Sequence, residues 1–308
     1  MIYFSLSLLL TFLLTQKNLN FFKNNFASIP NNRSMHFSPK PNGGGIIFAV
    51  ITSLFGMLTN YYQPLLCLPL SFLGLLDDKY NIKPLRKFIF QISSVILLFL
   101  TSGYTFLDFK YEFSILKIIF ILIFLIFSVG IINLFNFMDG IDGLLAGSII
   151  TILIFIMIKY NFLFLLPFLG SLIGFLIFNW YPSKIFMGDA GSLFIGIMYI
   201  SILISLPNRF EMIKVLILSF PIIGDAIICL FRRYIAKKDI FKAHKDHLYQ
   251  RLIANGMKHS NVSFIYILSI AILGIFFLLD NNFIILISLI TSIGFGIYLE
   301  KYKALRFE

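Results

Sequence analysis

Long apolar runs broken by short polar islands dominate this chain. A helix needs about twenty apolar residues to cross a bilayer, and tilt or thinning accommodates shorter ones. Eleven runs are candidates, near 1-15, 44-60, 64-76, 88-106, 113-134, 143-158, 162-180, 193-206, 212-231, 263-279 and 282-299. Pro64 and Pro69 blur the limits of the third. The pattern predicts an all-α polytopic membrane protein with about 10-11 transmembrane helices and cytoplasmic active-site loops. It reads as one integral-membrane domain over 1-308, with a motif-bearing core at about 33-252 and no internal repeat.

Composition agrees. Of 308 residues 59% are hydrophobic and only 13% charged, with a mean hydropathy of +0.92, far from soluble usage. Cys67 and Cys229 sit inside apolar runs, show neither metal spacing nor a disulfide framework, and read as small buried hydrophobes. The net charge of +11 would raise the question of nucleic acid in a soluble chain, but here the excess of Lys and Arg on cytoplasmic loops accounts for it. With the N-terminus outside, the loops after odd-numbered spans hold twenty of the 25 basic residues; Lys110, Lys117, Lys159, Arg209 and Lys214 are the five elsewhere. That orientation puts every polar island on one side and predicts chemically plain loops on the other. The first apolar run has no basic residue before it and no small-residue cleavage site after it, so it reads as a retained span.

The central island is Asn133 to Gly143. Asn133, Asn136 and Asp139 recur at i, i+3, i+6, one face of a continuing helix, and Gly140 and Gly143 bracket Asp142. Carboxylates beside hydrocarbon are costly unless they face water, a cation or a donor, which suggests a polar site; a hydrated loop with Asp-Gly turns is the plainer alternative. Asp77 and Asp78 close the third span, ahead of Lys79, Lys83, Arg86 and Lys87. Adjacent carboxylates point apart on a helix, so the pair divides two roles, unless it only caps the membrane boundary. In Phe186-Met187-Gly188-Asp189-Ala190-Gly191-Ser192 the isolated Asp189 suits a hard cation such as Mg²⁺ shared with phosphate oxygens; an N-cap by Asp189 or Ser192 is compatible with that.

Three further features complete the set. Gly43, Gly44 and Gly45 before a span, with Arg33, His36 and Lys40 nearby, could cradle an anion at a helix start or be a simple loop. His244 and His247 stand at i, i+3 with Arg251 close behind; zinc would want more ligands at set spacing, so phosphate binding is preferred. For Arg232, Arg233, Lys237 and Lys238 a lipid-headgroup patch is the plainer reading. Asp225, the one acid deep in an apolar run, should face the interior, with a basic partner as one option.

Taken in order, these islands resemble the polyprenyl-phosphate N-acetylhexosamine-1-phosphate transferase superfamily (glycosyltransferase family 4), which includes the phospho-N-acetylmuramoyl-pentapeptide translocase. The matching pieces are Pro41-Asn42-Gly43-Gly44-Gly45, Asp77-Asp78, Asn133 to Gly143, Phe186 to Ser192 and the His-containing loop, over roughly 33-252. The resemblance implies transfer of a sugar 1-phosphate from a UDP-sugar to undecaprenyl or another polyprenyl phosphate in a bacterial-type inner membrane, releasing UMP. It implies Mg²⁺, with Mn²⁺ as a substitute, and allows a homodimer. On it, Asp189 is similar to the metal ligand and Phe186 to the aromatic bordering the uracil. Asn179 and Asp142 match nucleoside-recognising positions, and Asn136 and Asp139 the polar wall; Asn133, on the same helical face, is a further substrate-binding candidate. Asp77 resembles the base or lipid-phosphate partner, Asp78 its acidic neighbour and Lys87 a basic position. Many relatives carry His-x-His-His-Arg, whereas this chain has His247-Leu248-Tyr249-Gln250-Arg251, a form similar to the branch that starts O-antigen, in lipopolysaccharide, or related surface glycans. Direct attack by the lipid phosphate and a two-step route through a phospho-aspartate both stay open. The competing class, a transporter of an anionic substrate, predicts acids along a path and two repeated halves, which the sequence lacks.

Overall fold

The computed structural model describes residues 1–30, 35, 38–101, 115–239 and 244–307. Arg33, His36 and Lys110 lie outside the described residues. Helices α1 (Ile2–Asn25), α2 (Gly45–Leu58), α3 (Gln63–Tyr80), α4 (Pro84–Thr101), α5 (Ile115–Phe137), α6 (Leu144–Tyr160) and α7 (Leu166–Asn179) are followed by α8 (Gly188–Ile204), α9 (Arg209–Leu218), α10 (Phe220–Ile235), α11 (Leu248–Ala254), α12 (His259–Leu278) and α13 (Asn282–Tyr302). Two-residue strands β1 (Ala27–Ser28) and β2 (Lys40–Pro41) pair antiparallel between α1 and α2. The protein is an all-α polytopic membrane protein whose outer helices turn large apolar side chains such as Ile126, Phe231 and Ile290 outward.

Every one of the eleven apolar runs holds a helix, but two expectations change. Four described helices are long and apolar enough to cross a membrane: α4, α12, α13 and the Ile118–Phe137 part of α5. A bent pair makes a fifth, and Gly45–Leu58, Leu144–Tyr160, Leu163–Asn179 and Gly188–Ile204 are shorter apolar helices, counted as full spans in the sequence. The run 212-231 is not one helix: α9 and α10 meet at Ser219 with a bend of 80°. Pro221 has no N–H to bond back and its ring excludes the preceding turn, so a new helix starts there. Ser219 fixes the corner by donating to Val215 O (2.9 Å) and sharing a 2.7 Å hydrogen bond with Tyr199.

α8 is the central post. From Ala190 to Ile204 every residue is buried, and α2, α3 and α5 pack around it. α1 lies along α7, and α6 along α12, forming the flanks. Ends are set locally: Asn208 and Asn281 accept from the first amides of α9 and α13, and Asn81 and Asn161 close α3 and α6 in left-handed backbone. The end expected to be plain is not. Lys159 and Lys214 bracket Glu211 and Asp280 at 2.6 to 3.5 Å, tying α6 and α9 to the turn between α12 and α13.

Candidate active site

α3 is apolar as far as Leu76 and then presents Asp77 and Asp78 in its last turn. Successive helical side chains diverge by about 100°, and the two carboxylates part accordingly. Asp77 accepts from Ile82 N–H (2.6 Å) and from Lys87 Nζ (2.7 Å), at the start of α4. Asp78 accepts from Asn42 Nδ2 (2.9 Å) and from the backbone N–H groups of Asp189 (3.0 Å) and Ala190 (3.3 Å). Asp78 therefore anchors the start of α8, and Asp77 faces a lysine.

Lys87 Nζ also donates to Asp189 Oδ2 at 2.6 Å, so one ammonium bridges carboxylates from α3 and α8. The approach of these helices depends on Gly74, where a Cβ would fall 2.4 Å from the Asp189 carbonyl carbon. Asp139, in the turn after α5, closes the group. Burial, and then the Asp189, Asp78 and Asp142 carboxylates, push its carboxyl well above the usual range. Burial and Asp189 likewise push Asp78 up to about 8. Four acids from three stretches thus share one region, with more negative charge than Lys87 offsets. Hard carboxylate oxygens of this kind are the donors Mg²⁺ prefers, so the residues fit that ion.

The amide face divides. Asn133 exchanges two hydrogen bonds with Gln91 of α4, at 3.0 and 3.1 Å, and Asn136 is half-buried beside Asp139. Asn179 is buried, accepting from Gly143 N–H (3.3 Å) and donating to Ile185 O (3.1 Å), so it ties the end of α7 to two loops. Asp142 is buried as well: Ser183 donates to it through N–H (3.0 Å) and Oγ (2.8 Å), with Lys40 Nζ at 3.6 Å and His259 Nδ1 at 3.7 Å. Burial would raise its carboxyl, but His259, Ser183 and Lys40 together hold it down at about 2. Both side chains hold loops in place. Phe186 is half-buried with Lys40 Nζ 5.1 Å over its ring.

The Gly-rich turn commits two of its glycine amides to the protein's own backbone. Gly44 N–H bonds Phe186 O and Gly45 N–H bonds Met187 O, both at 3.0 Å, so the turn clamps the 186–189 segment. Gln91, Ser183 and His259 carry no signal in the sequence, and Lys40 and Asn42, though in a noted island, could not be matched to their partners, because each acts across the fold.

The His loop packs against the central island. Tyr249 donates to Phe137 O (2.9 Å), and the His247 ring lies 6.1 Å from that of Phe137. Burial, His247 and Arg233 lower His244 to about 4, and burial lowers His247. Arg251 is buried and spends its donors on Asp246 O, Leu305 O and Glu300, at 2.9 to 3.0 Å, tying the loop to the C-terminal segment. Asp225 faces the interior as expected: it accepts from Leu248 and Tyr249 N–H and from Tyr266 Oη (2.6 Å), and the His247 imidazole stands beside it with Nδ1 at 3.8 Å. Arg232 pairs with Glu300, and Arg233 with Asp246.

Residues 62–207 match the family described as glycosyl transferase family 4. Over 264 residues the chain is 30% identical to a "Probable undecaprenyl-phosphate N-acetylglucosaminyl 1-phosphate transferase" of Bacillus subtilis, covering 75% of this chain and 70% of that one. It is 32% identical over 203 residues to a phospho-N-acetylmuramoyl-pentapeptide-transferase of Dictyoglomus turgidum, covering 59% of this chain and 64% of that one. A decaprenyl-phosphate N-acetylglucosaminephosphotransferase of Mycobacterium leprae is 30% identical over 110 residues, 30% of this chain and 27% of that one.

Proposed function

The chain belongs to glycosyl transferase family 4, and on that premise we propose that it transfers a sugar 1-phosphate from a UDP-sugar to a membrane polyprenyl phosphate, releasing UMP. The observation that carries the reading is the convergence of Asp77, Asp78, Asp139 and Asp189 in one region, with Lys87 bridging Asp77 and Asp189. The sugar is an N-acetylated hexosamine, the class that the names of all three relatives share. The product starts a surface glycan of cell-wall or O-antigen type. The excess of Lys and Arg on the loops of this side supports a cytoplasmic site and an N-terminus outside.

Two anionic phosphates must meet, so positive charge has to offset their repulsion. Mg²⁺ held by Asp189, with Asp77 or Asp139 beside it, would supply part of that charge and stabilise the departing UMP. Lys87 contributes the rest and keeps Asp77 and Asp189 in register. Asp77 takes the remaining proton from the lipid phosphate. An oxygen of that phosphate then forms a bond to the β-phosphorus of the UDP-sugar, and the bond from that phosphorus to the bridging oxygen breaks, its electron pair leaving with UMP. Asp78, committed to the amides of α8, holds Asp189 in position. Phe186 borders the uracil.

Detergent-solubilised protein with polyprenyl phosphate, Mg²⁺ and a panel of UDP-N-acetylhexosamines tests this. One member should release UMP, and Asp189→Asn should abolish the release while the protein stays folded. Release from no member, or undiminished release by Asp189→Asn, overturns the proposal.

A further inference from the structure

A second cluster lies outside the carboxylate centre. Cys229, on α10, is 3% exposed, and the segment leading into α11 brings His244 and His247 to it. The sulfur and one nitrogen from each imidazole all lie within 4.8 Å of one another. The two rings stack at 5.0 Å between centroids with 29° between their planes. Sequence spacing concealed this set, because the third ligand comes from a separate helix; Cys229 read there as a small hydrophobe.

We propose that Cys229, His244 and His247 form a binding site for a thiophilic divalent cation, zinc in biological terms, that pins the His turn to α10. One thiolate and two imidazoles make a three-ligand set of the kind zinc takes, with a fourth position left for water. Carboxylate oxygens suit Mg²⁺ and sulfur does not, so the two centres select different ions. Zinc bonds of about 2.0 to 2.3 Å put tetrahedral ligands roughly 3.3 to 3.8 Å apart. The groups must therefore draw in by about an ångström, which ring and thiol rotation supply.

Two features of the surroundings point the same way. His247 Nδ1 is buried and makes no hydrogen bond, so its proton is left for the carboxylate behind it while Nε2 is the nitrogen offered to the ion. Asp225 Oδ1 stands 3.8 Å from that nitrogen, and the carboxylate is fixed by two backbone amides and Tyr266. A carboxylate behind an imidazole is the usual support of a metal-bound histidine. Among the described residues His244 Nδ1 accepts from Asp246 N–H at 3.3 Å and stands 3.9 Å from the Asp246 carboxylate, contacts weak enough for the ring to turn toward the ion. Through Tyr249, the pinned turn reaches the backbone beside Asp139, which makes these three residues positioning groups for the carboxylate centre.

The test uses the full chain in detergent, stripped of metal, and does not depend on transferase activity. Titration with Co²⁺ should give one equivalent with a thiolate-to-cobalt charge-transfer band, displaced by Zn²⁺. Cys229→Ser should lose the band and Cys67→Ser, which removes the other cysteine, should keep it. His244→Ala, at the less buried corner, should weaken Co²⁺ binding at least about tenfold, and it serves if Cys229→Ser does not fold. Zinc-edge X-ray absorption of the loaded protein should show one sulfur and two imidazole nitrogens. No charge-transfer band, a band that survives Cys229→Ser, or a shell of oxygen and nitrogen alone overturns the proposal.

Discussion

Asp142→Asn separates holding a loop from gripping a ligand. The Asp142 carboxylate receives two hydrogen bonds from Ser183 and lies within 3.6 and 3.7 Å of Lys40 and His259, with a side chain only 2% exposed. Burial opposes the charge, yet these neighbours carry the carboxyl from an ordinary 3.8 to about 2. At roughly 1.4 kcal/mol per unit, the ionised form is favoured by about 2 kcal/mol. Asparagine removes that charge and turns an NH2 group toward a Ser183 donor, so the loss should total about 2 to 4 kcal/mol. Trp180, the single tryptophan, packs against Gly143 beside the substituted residue, and its fluorescence can follow unfolding in mixed micelles. Because the folded-state value is depressed, the stabilisation is whole above the ordinary value and fades as pH falls toward about 2. The variant should lack that dependence. Unfolding within about 0.5 kcal/mol of the parent, with nucleotide affinity lost instead, would refute the reasoning.

Two further substitutions address the carboxylate centre. Lys87→Met leaves Asp77 and Asp189 without their shared ammonium and should cut UMP release by roughly 100-fold or more, whereas exposed Lys83→Met should stay within about twofold; equal effects would deny Lys87 its role. Gly188 has φ +66°, and a Cβ there would fall 2.4 Å from Asp78 Oδ2. Gly188→Ala should therefore cost about 1 to 3 kcal/mol in the same fluorescence assay, with an unchanged midpoint as the contrary result.

The helices were legible because hydrocarbon demands long apolar runs, and each run left its mark in sequence. The corner at Ser219 was not, since 212-231 is apolar on both sides of the break; Pro221, at a helix start, was the signal present. That Asp77 and Asp78 would divide followed from helical geometry alone, but their partners could not be read, because Asn42, Lys87 and the amides of Asp189 and Ala190 come from other elements. The same limit explains Arg251 and Asn179, polar residues in suggestive motifs whose hydrogen-bonding groups the fold spends on its own backbone and on Glu300. A motif tells which groups are gathered, and only packing tells which of them remain available.

The burial of α8 has a mechanical consequence. Asp189 stands at the end of a rod that is sheathed in protein along its length, while α13 presents much of its surface to the outside. Lipid chains that stretch or crowd the perimeter push on that outer layer first, and hydrophobic mismatch is absorbed by tilt there. The carboxylate's height is set by its neighbours' backbones, so the enzyme carries its own ruler.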